Sequence, residues 1–157
     1  MDLQQNSTSS TVTDNKTLAA RWVAAINDND LAALAELVDE QFVDHDPLPE
    51  QDAGLLGLRH VYTRLRAAFP DWQIDVHHMF AENDTVVVHS TWRGTHNGEF
   101  LSVPPTGTQF TVSAIDILRV VDHKIVERWG VVDLFGILQQ LAILPPMGLA
   151  GGSTRLD

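Results

Sequence analysis

The spacing of apolar side chains changes once along this chain, from helical in the first half to alternating in the second. From Asp14, a candidate N-cap, Leu18, Trp22, Ala25 and Ile26 recur at helical spacing until the polar run Asn27-Asp28-Asn29-Asp30. A second helix follows at once, with Leu31, Leu34, Leu37 and Val38 as its buried stripe. Gln41 to His45 then reads as a short extended piece stopped by Asp46-Pro47. A third helix places Leu58, Val61, Tyr62, Leu65 and Phe69 on one side and ends at Pro70.

Beyond Pro70 the period becomes two. Strand-like runs cover about Trp72 to Ala81, Thr85 to Thr95, Thr108 to Val121 and Lys124 to Asp133. The breaks Glu82-Asn83-Asp84 and Asp122-His123 have hairpin length, whereas Gly98 to Gly107, with Pro104-Pro105, is a longer loop. A short last helix spans Leu134 to Leu141, before Pro145-Pro146. Helices first and an antiparallel meander afterwards predict an α+β fold rather than a doubly wound sheet.

Composition narrows the chemistry. A chain of 157 residues, 44% hydrophobic, suits one domain, expected over 14–146. Residues 1–13, rich in Ser, Thr, Gln and Asn, read as a disordered leader without the basic start and apolar run of a signal peptide, and 147–157 as a flexible tail. A cytoplasmic location is expected. The net charge of −11 disfavours nucleic acid and anionic membrane surfaces as partners, and no window reaches the roughly 20 apolar residues of a membrane span. Without cysteine there is no disulfide, thiolate metal site or cysteine nucleophile, which leaves carboxylates and histidines.

Those residues fall in a pattern. In the third strand-like run, Phe110, Val112, Ala114, Asp116, Leu118 and Val120 share one face, with Asp116 its only charge. An aspartate in apolar surroundings has a raised pKa and can act as general acid or base; the alternatives are a face that bends to solvent, or pairing with Arg119 or Arg128. On the next run Ile125, Trp129, Val131 and Asp133 share parity, together with Glu127, so a hairpin would bring Asp116 and Asp133 to one cavity. Asp133 also suits the N-cap of the last helix.

His96, of the same parity as Trp92, ends a strand and could orient a carbonyl oxygen, or be a loop residue held by Glu99. His45, between Asp44 and Asp46, could reach the cavity mouth or lie in a solvated turn. His77 and His78, adjacent on a strand, should point to opposite faces and so not chelate one ion. No phosphate loop, Gly-x-Ser-x-Gly elbow or lysine on an evidently apolar strand face appears. Chemistry free of metal and cofactor remains.

Several stretches together resemble the SnoaL-like polyketide cyclases: Phe42-Val43-Asp44-His45, Phe69-Pro70-Asp71, Gly94-Thr95-His96 with Gly98-Glu99-Phe100, Pro105-Thr106-Gly107, Ile115 to Val120, Lys124 to Trp129, Asp133 and Gln139-Gln140-Leu141. The resemblance spans about residues 17 to 146. It implies a nuclear transport factor 2-like cone, a conical half-barrel of curved sheet closed by N-terminal helices around a hydrophobic pocket, and a homodimer formed through the sheet. It further implies intramolecular aldol cyclisation of a hydrophobic, carbonyl-containing small molecule without metal or cofactor. By that resemblance Asp133 is the acid/base, with His96 stabilising the enolate, Asp116 donating to the aldol oxygen, and Trp92, Trp129, Phe110 and Leu118 packing the substrate. For those aromatic residues ordinary core is the other reading.

Two rivals stay open. Isomerases and epoxide hydrolases share the cone; the hydrolases use two aspartates and an arginine two residues before one of them, a place that Ala114 holds here. A non-catalytic binder of an apolar small molecule would need no catalytic carboxylate.

Overall fold

The computed structural model describes residues 3–144, with side chains from residue 11 onward. The elements in chain order are α1 (Leu3–Asn27), α2 (Leu31–Leu37), β1 (Val38–Asp44), α3 (Gly54–Ala68), β2 (Gln73–Glu82), β3 (Thr85–Thr95), β4 (Gln109–Val121), β5 (Lys124–Val132) and α4 (Leu134–Gln140). α1 runs upstream through the segment expected to be a disordered leader, so Asp14 lies inside the helix and does not cap it. The expected tail, 147–157, lies outside the described residues. Asp30 does cap α2, accepting from the backbone N–H groups of Ala32 and Ala33.

The strands form one open sheet in the order β1-β5-β4-β3-β2. β2 to β5 make the expected antiparallel meander, but the short extended piece is a full strand, β1, lying parallel to β5. Helices cover one face of this mixed sheet. Trp22, Leu34, Leu58, Phe69, Trp72, Val86, Val88, Leu118 and Ile125 are all buried between the layers. The helical spacing and the alternation seen in the sequence are these two sides of one apolar core.

The register shifts in three places, in β1 between Val38 and Val43, in β5 and in β2, and the last two decide where the predicted residues of those strands face. In β5 the register slips between the pairs Arg119↔Glu127 and Val120↔Ile125, which leaves Val126 as an extra residue. Every side chain after it changes side: Arg128, Gly130 and Val132 pair with the inward Leu118, Asp116 and Ala114. Glu127, Trp129 and Val131 face outward, Val131 with 72% exposure. The second slip lies in β2 between Val76 and His78, and it leaves both His77 and His78 exposed instead of on opposite faces. His78 Nδ1 lies 3.1 Å from His89 Nδ1, and His77 Nε2 lies 2.6 Å from Thr91 Oγ1.

Candidate functional site

Burying a charge requires a partner, and β4 buries one. Asp116 is 1% exposed within the apolar face of that strand. Because the β5 bulge turns Arg128 inward, Arg128 Nε donates to Asp116 Oδ1 over 2.7 Å. In the parallel β1–β5 pairing Arg128 stands opposite Asp44, and Arg128 Nη1 donates to both Asp44 oxygens at 3.1 Å. Gln51 Nε2 also donates to Asp44 Oδ2, at 3.0 Å. The result is a buried line of two carboxylates joined by one guanidinium.

The electrostatics follow from that count. Burial pushes the Asp116 pKa above the usual carboxylate range; Arg128 opposes the shift, but its charge is shared with Asp44, which adds its own repulsion. Burial alone would lower the Arg128 pKa, yet Asp116 and the other negative neighbours outweigh it and hold the guanidinium charged. Tyr62, buried beside the same three groups, has its hydroxyl pushed upward by burial and stays protonated. Asp116 Oδ2 is buried with no hydrogen-bond partner among the described residues, as is Trp92 Nε1. An unpartnered buried polar atom is costly, and a carboxyl oxygen of raised pKa satisfies itself best by holding a proton.

Beside this line lies a cavity of about 50 Å³, walled by α3 (Leu58, Val61, Tyr62, Leu65), β5 (Arg128, Gly130, Val132), Trp92 of β3, and Asp44, Asp46, Leu48 and Gln51. Gly130 is essential to this wall, because an added Cβ would meet Arg128 Nη2 at 2.0 Å. Asp46 Oδ2 accepts from the Gly130 N–H at 3.0 Å, tying the segment after β1 to the same spot.

The sequence-predicted residues separate into those at the site and those elsewhere. Asp116 is in the cluster and Trp92 lines the cavity. Asp133 is exposed at the start of α4, where Oδ1 accepts from the Gly136 N–H at 2.7 Å; the bulge in β5 and the strand's end keep it from the cavity. His96 is fully buried elsewhere, under the β3–β4 loop, with Nδ1 3.0 Å from Thr106 Oγ1 and its ring against Phe69 and Phe100. Phe110 packs on Phe69 as core, and Leu118 is likewise fully buried core. His45 and Trp129 lie on the outer face, their rings stacked at 4.3 Å, with His45 Nε2 2.8 Å from Glu127 Oε2.

Sequence reasoning missed Asp44, Tyr62 and Gln51 as members of the site, and treated Arg128 only as one of two candidate ion-pair partners of Asp116. The available signal was charge: an aspartate alone on the apolar face of one strand and an arginine on the strand paired with it, with Asp44 and Asp46 on alternate positions around His45. Among the described residues no group of three or more His, Asp or Glu side chains is placed to hold a metal ion.

Comparison with known proteins agrees with this architecture. Among solved structures, IdmH from Streptomyces antibioticus, provisionally named a polyketide cyclase, is 33% identical with a TM-score of 0.73, covering 82% of this chain and 98% of its own. AclR from Streptomyces galilaeus, provisionally named a hydroxylase, is 30% identical with a TM-score of 0.77, covering 88% of this chain and 87% of its own. TsrD from Streptomyces laurentii is 26% identical with a TM-score of 0.77, covering 84% and 97%. No curated protein matches. The profile of the SnoaL-like polyketide cyclases matches residues 16–141, and with these neighbours it places the chain in that family.

Proposed function

We propose that the protein is a cofactor-independent acid/base enzyme that closes a ring in a carbonyl-rich small molecule by intramolecular aldol addition, with Asp116 as acid and base. The observation that carries this reading is Asp116 itself: buried, of raised pKa, held by Arg128 through one oxygen and with the other unpartnered. In the ionised form of the carboxyl, Asp116 Oδ2 takes a proton from a carbon flanked by carbonyl groups, and the electron pair moves onto a carbonyl oxygen as an enolate. That carbon then bonds to a second carbonyl carbon of the same molecule, and the resulting alkoxide recovers the proton from Asp116. Arg128, which lines the cavity, and Trp92 Nε1 are the donors available to the enolate oxygen, a role that passes to them from His96. The family and the provisional name of IdmH support the reaction class.

The test is Asp116→Asn against Asp133→Asn, with product formation from a panel of linear carbonyl-rich polyketides and ligand affinity both measured. Asp116→Asn should lower turnover by about 10²-fold or more with affinity retained, the usual scale of a lost general acid/base. Asp133→Asn, which can still cap α4, should leave turnover unchanged. Full activity in Asp116→Asn would overturn the proposal. One observation favours a second reading, epoxide hydrolysis: Arg128 bridges two aspartates, supplying from β5 the guanidinium that the residue at Ala114 does not. Diol formation from an epoxide panel, lost in Asp116→Asn, would select it.

A further inference from the structure

The reaction just proposed needs room beside Arg128 that the structure does not offer in one piece, although an open groove of about 570 Å³ runs along the outside of the neighbouring segment, past Asp44, Pro47, Gln51 and Asp52. Ligand sites for molecules of that size measure roughly 300–1,000 Å³. The cavity beside Arg128 is about 50 Å³, and a second, lined by Leu48, Pro49, Val61, Leu65 and Phe100, is about 40 Å³. Leu48, Val61 and Leu65 line both. Val61 and Leu65 belong to the buried face of α3, whereas Leu48 comes from the segment between β1 and α3, which has neither helix nor strand. Of the three shared residues, Leu48 alone lies outside helix and strand.

That segment is held at few points. It is pinned before Leu48 by Asp46 on the Gly130 N–H, and it ends at Gly54, whose φ of +73° is ordinary only for glycine. Between these points Gln51 supplies the tight link: its Nε2 donates to Asp44 Oδ2 at 3.0 Å, and its Oε1 accepts from the Leu48 N–H at 3.1 Å. The Gln51 N–H also donates to the Leu48 carbonyl at 3.1 Å, which closes the turn within the segment, and the Asp52 carbonyl packs against Gly57; the remaining side-chain links are exposed and long: Arg64 to the Pro49 carbonyl at 3.5 Å and to Glu50 at 3.9 Å, and His60 to Asp52 at 3.6 Å. One side chain therefore ties the position of Leu48 to the buried ion line.

We propose that residues 47–53 form a flap in which Leu48 is the plug and Gln51 the latch, so that Leu48 sets the size of ligand the site accepts. Moving Leu48 joins the two cavities, and breaking the Gln51–Asp44 bond frees Asp44 to bind Arg128 alone. The inference rests on the proposed reaction for its substrate size, but its test reads binding and not chemistry. The probe is the neutral fluorophore N-phenyl-1-naphthylamine, titrated into the full chain with emission recorded.

A hydrogen bond to a charged group is a tenfold-scale restraint, and apparent affinity scales with the open fraction. Gln51→Ala should therefore bind the probe about tenfold tighter than wild type, and Leu48→Ala should also bind it more tightly. Leu48→Trp should reduce probe binding below wild type, and Leu56→Ala, an exposed change on α3 away from both cavities, should match wild type. Circular dichroism confirms that each variant is folded, and Gln51→Ala, at a half-buried polar side chain, carries the test if a Leu48 variant is not. Wild-type affinity in folded Gln51→Ala and Leu48→Ala overturns the flap. If those variants gain the probe while Asp116→Asn keeps full turnover, the flap stands and the proposed reaction falls.

Discussion

Replacing a glycine inside a strand with alanine ordinarily stabilises a protein, by roughly 0.5–1 kcal/mol, because the chain loses less entropy on folding. Gly130→Ala should do the opposite. The added Cβ would lie 2.0 Å from Arg128 Nη2, 2.3 Å from Cζ and 2.8 Å from Nη1, so the guanidinium has to leave. It then loses its bonds to Asp116 and to Asp44. Charged hydrogen bonds contribute about 1.5–3 kcal/mol each, and stripping one partner from a buried pair costs about 3–5 kcal/mol. Because the displaced arginine can rehydrate and the strand backbone gains, the net loss should be about 2–4 kcal/mol. Urea unfolding at neutral pH measures it. Gly107→Ala is the reference: its φ is +71° with nothing within 4 Å of a new Cβ, so it should cost only the backbone strain, about 1 kcal/mol. A Gly130→Ala variant as stable as wild type, or more so, would refute the placement of Arg128 against that backbone.

Two further outcomes follow from single residues. Asn27 closes α1 onto β2 twice, with Oδ1 accepting from the Ile74 N–H at 2.8 Å and Nδ2 donating to the Ile74 carbonyl at 2.9 Å, so Asn27→Ala should cost about 2–3 kcal/mol in the same unfolding assay. The raised pKa of Asp116 makes stability depend on pH in a fixed direction: the folded state holds this proton more tightly than the unfolded one. Its contribution is complete below the unfolded carboxyl pKa and is lost as pH rises through the folded value, so wild type should lose stability relative to Asp116→Asn across that window in urea titrations at stepped pH.

The α+β order and the burial of β4 were legible because they rest on periodicity alone. Every second residue from Phe110 to Val120 is buried, as the pattern required. β1 was half legible: its sequence shows an extended piece, but parallel pairing with β5 joins residues more than 80 positions apart and leaves no local mark. The site was harder. A single extra residue, Val126, reverses the facing of β5, and nothing in Lys124 to Arg128 announces a bulge. That one slip moved Trp129 and Val131 outward and brought in Arg128, which alternation had assigned to solvent. Asp133 lies away from the cavity for the same reason, while its capping role was readable from the helix that follows. His96 sat on the correct inward parity, but parity says only which layer a side chain enters, and the layer there is filled by Phe69 and Phe100.

Whether Asp116 is a buried carboxyl poised to exchange a proton is read from titration of its side-chain carbon by ¹³C NMR in the wild-type protein, assigned with Asp116→Asn. The midpoint should lie clearly above the ordinary aspartate value of about 3.9. A midpoint at or below that value would mean that Arg128 holds Asp116 as a permanently ionised structural partner, and the acid/base role would be lost with it.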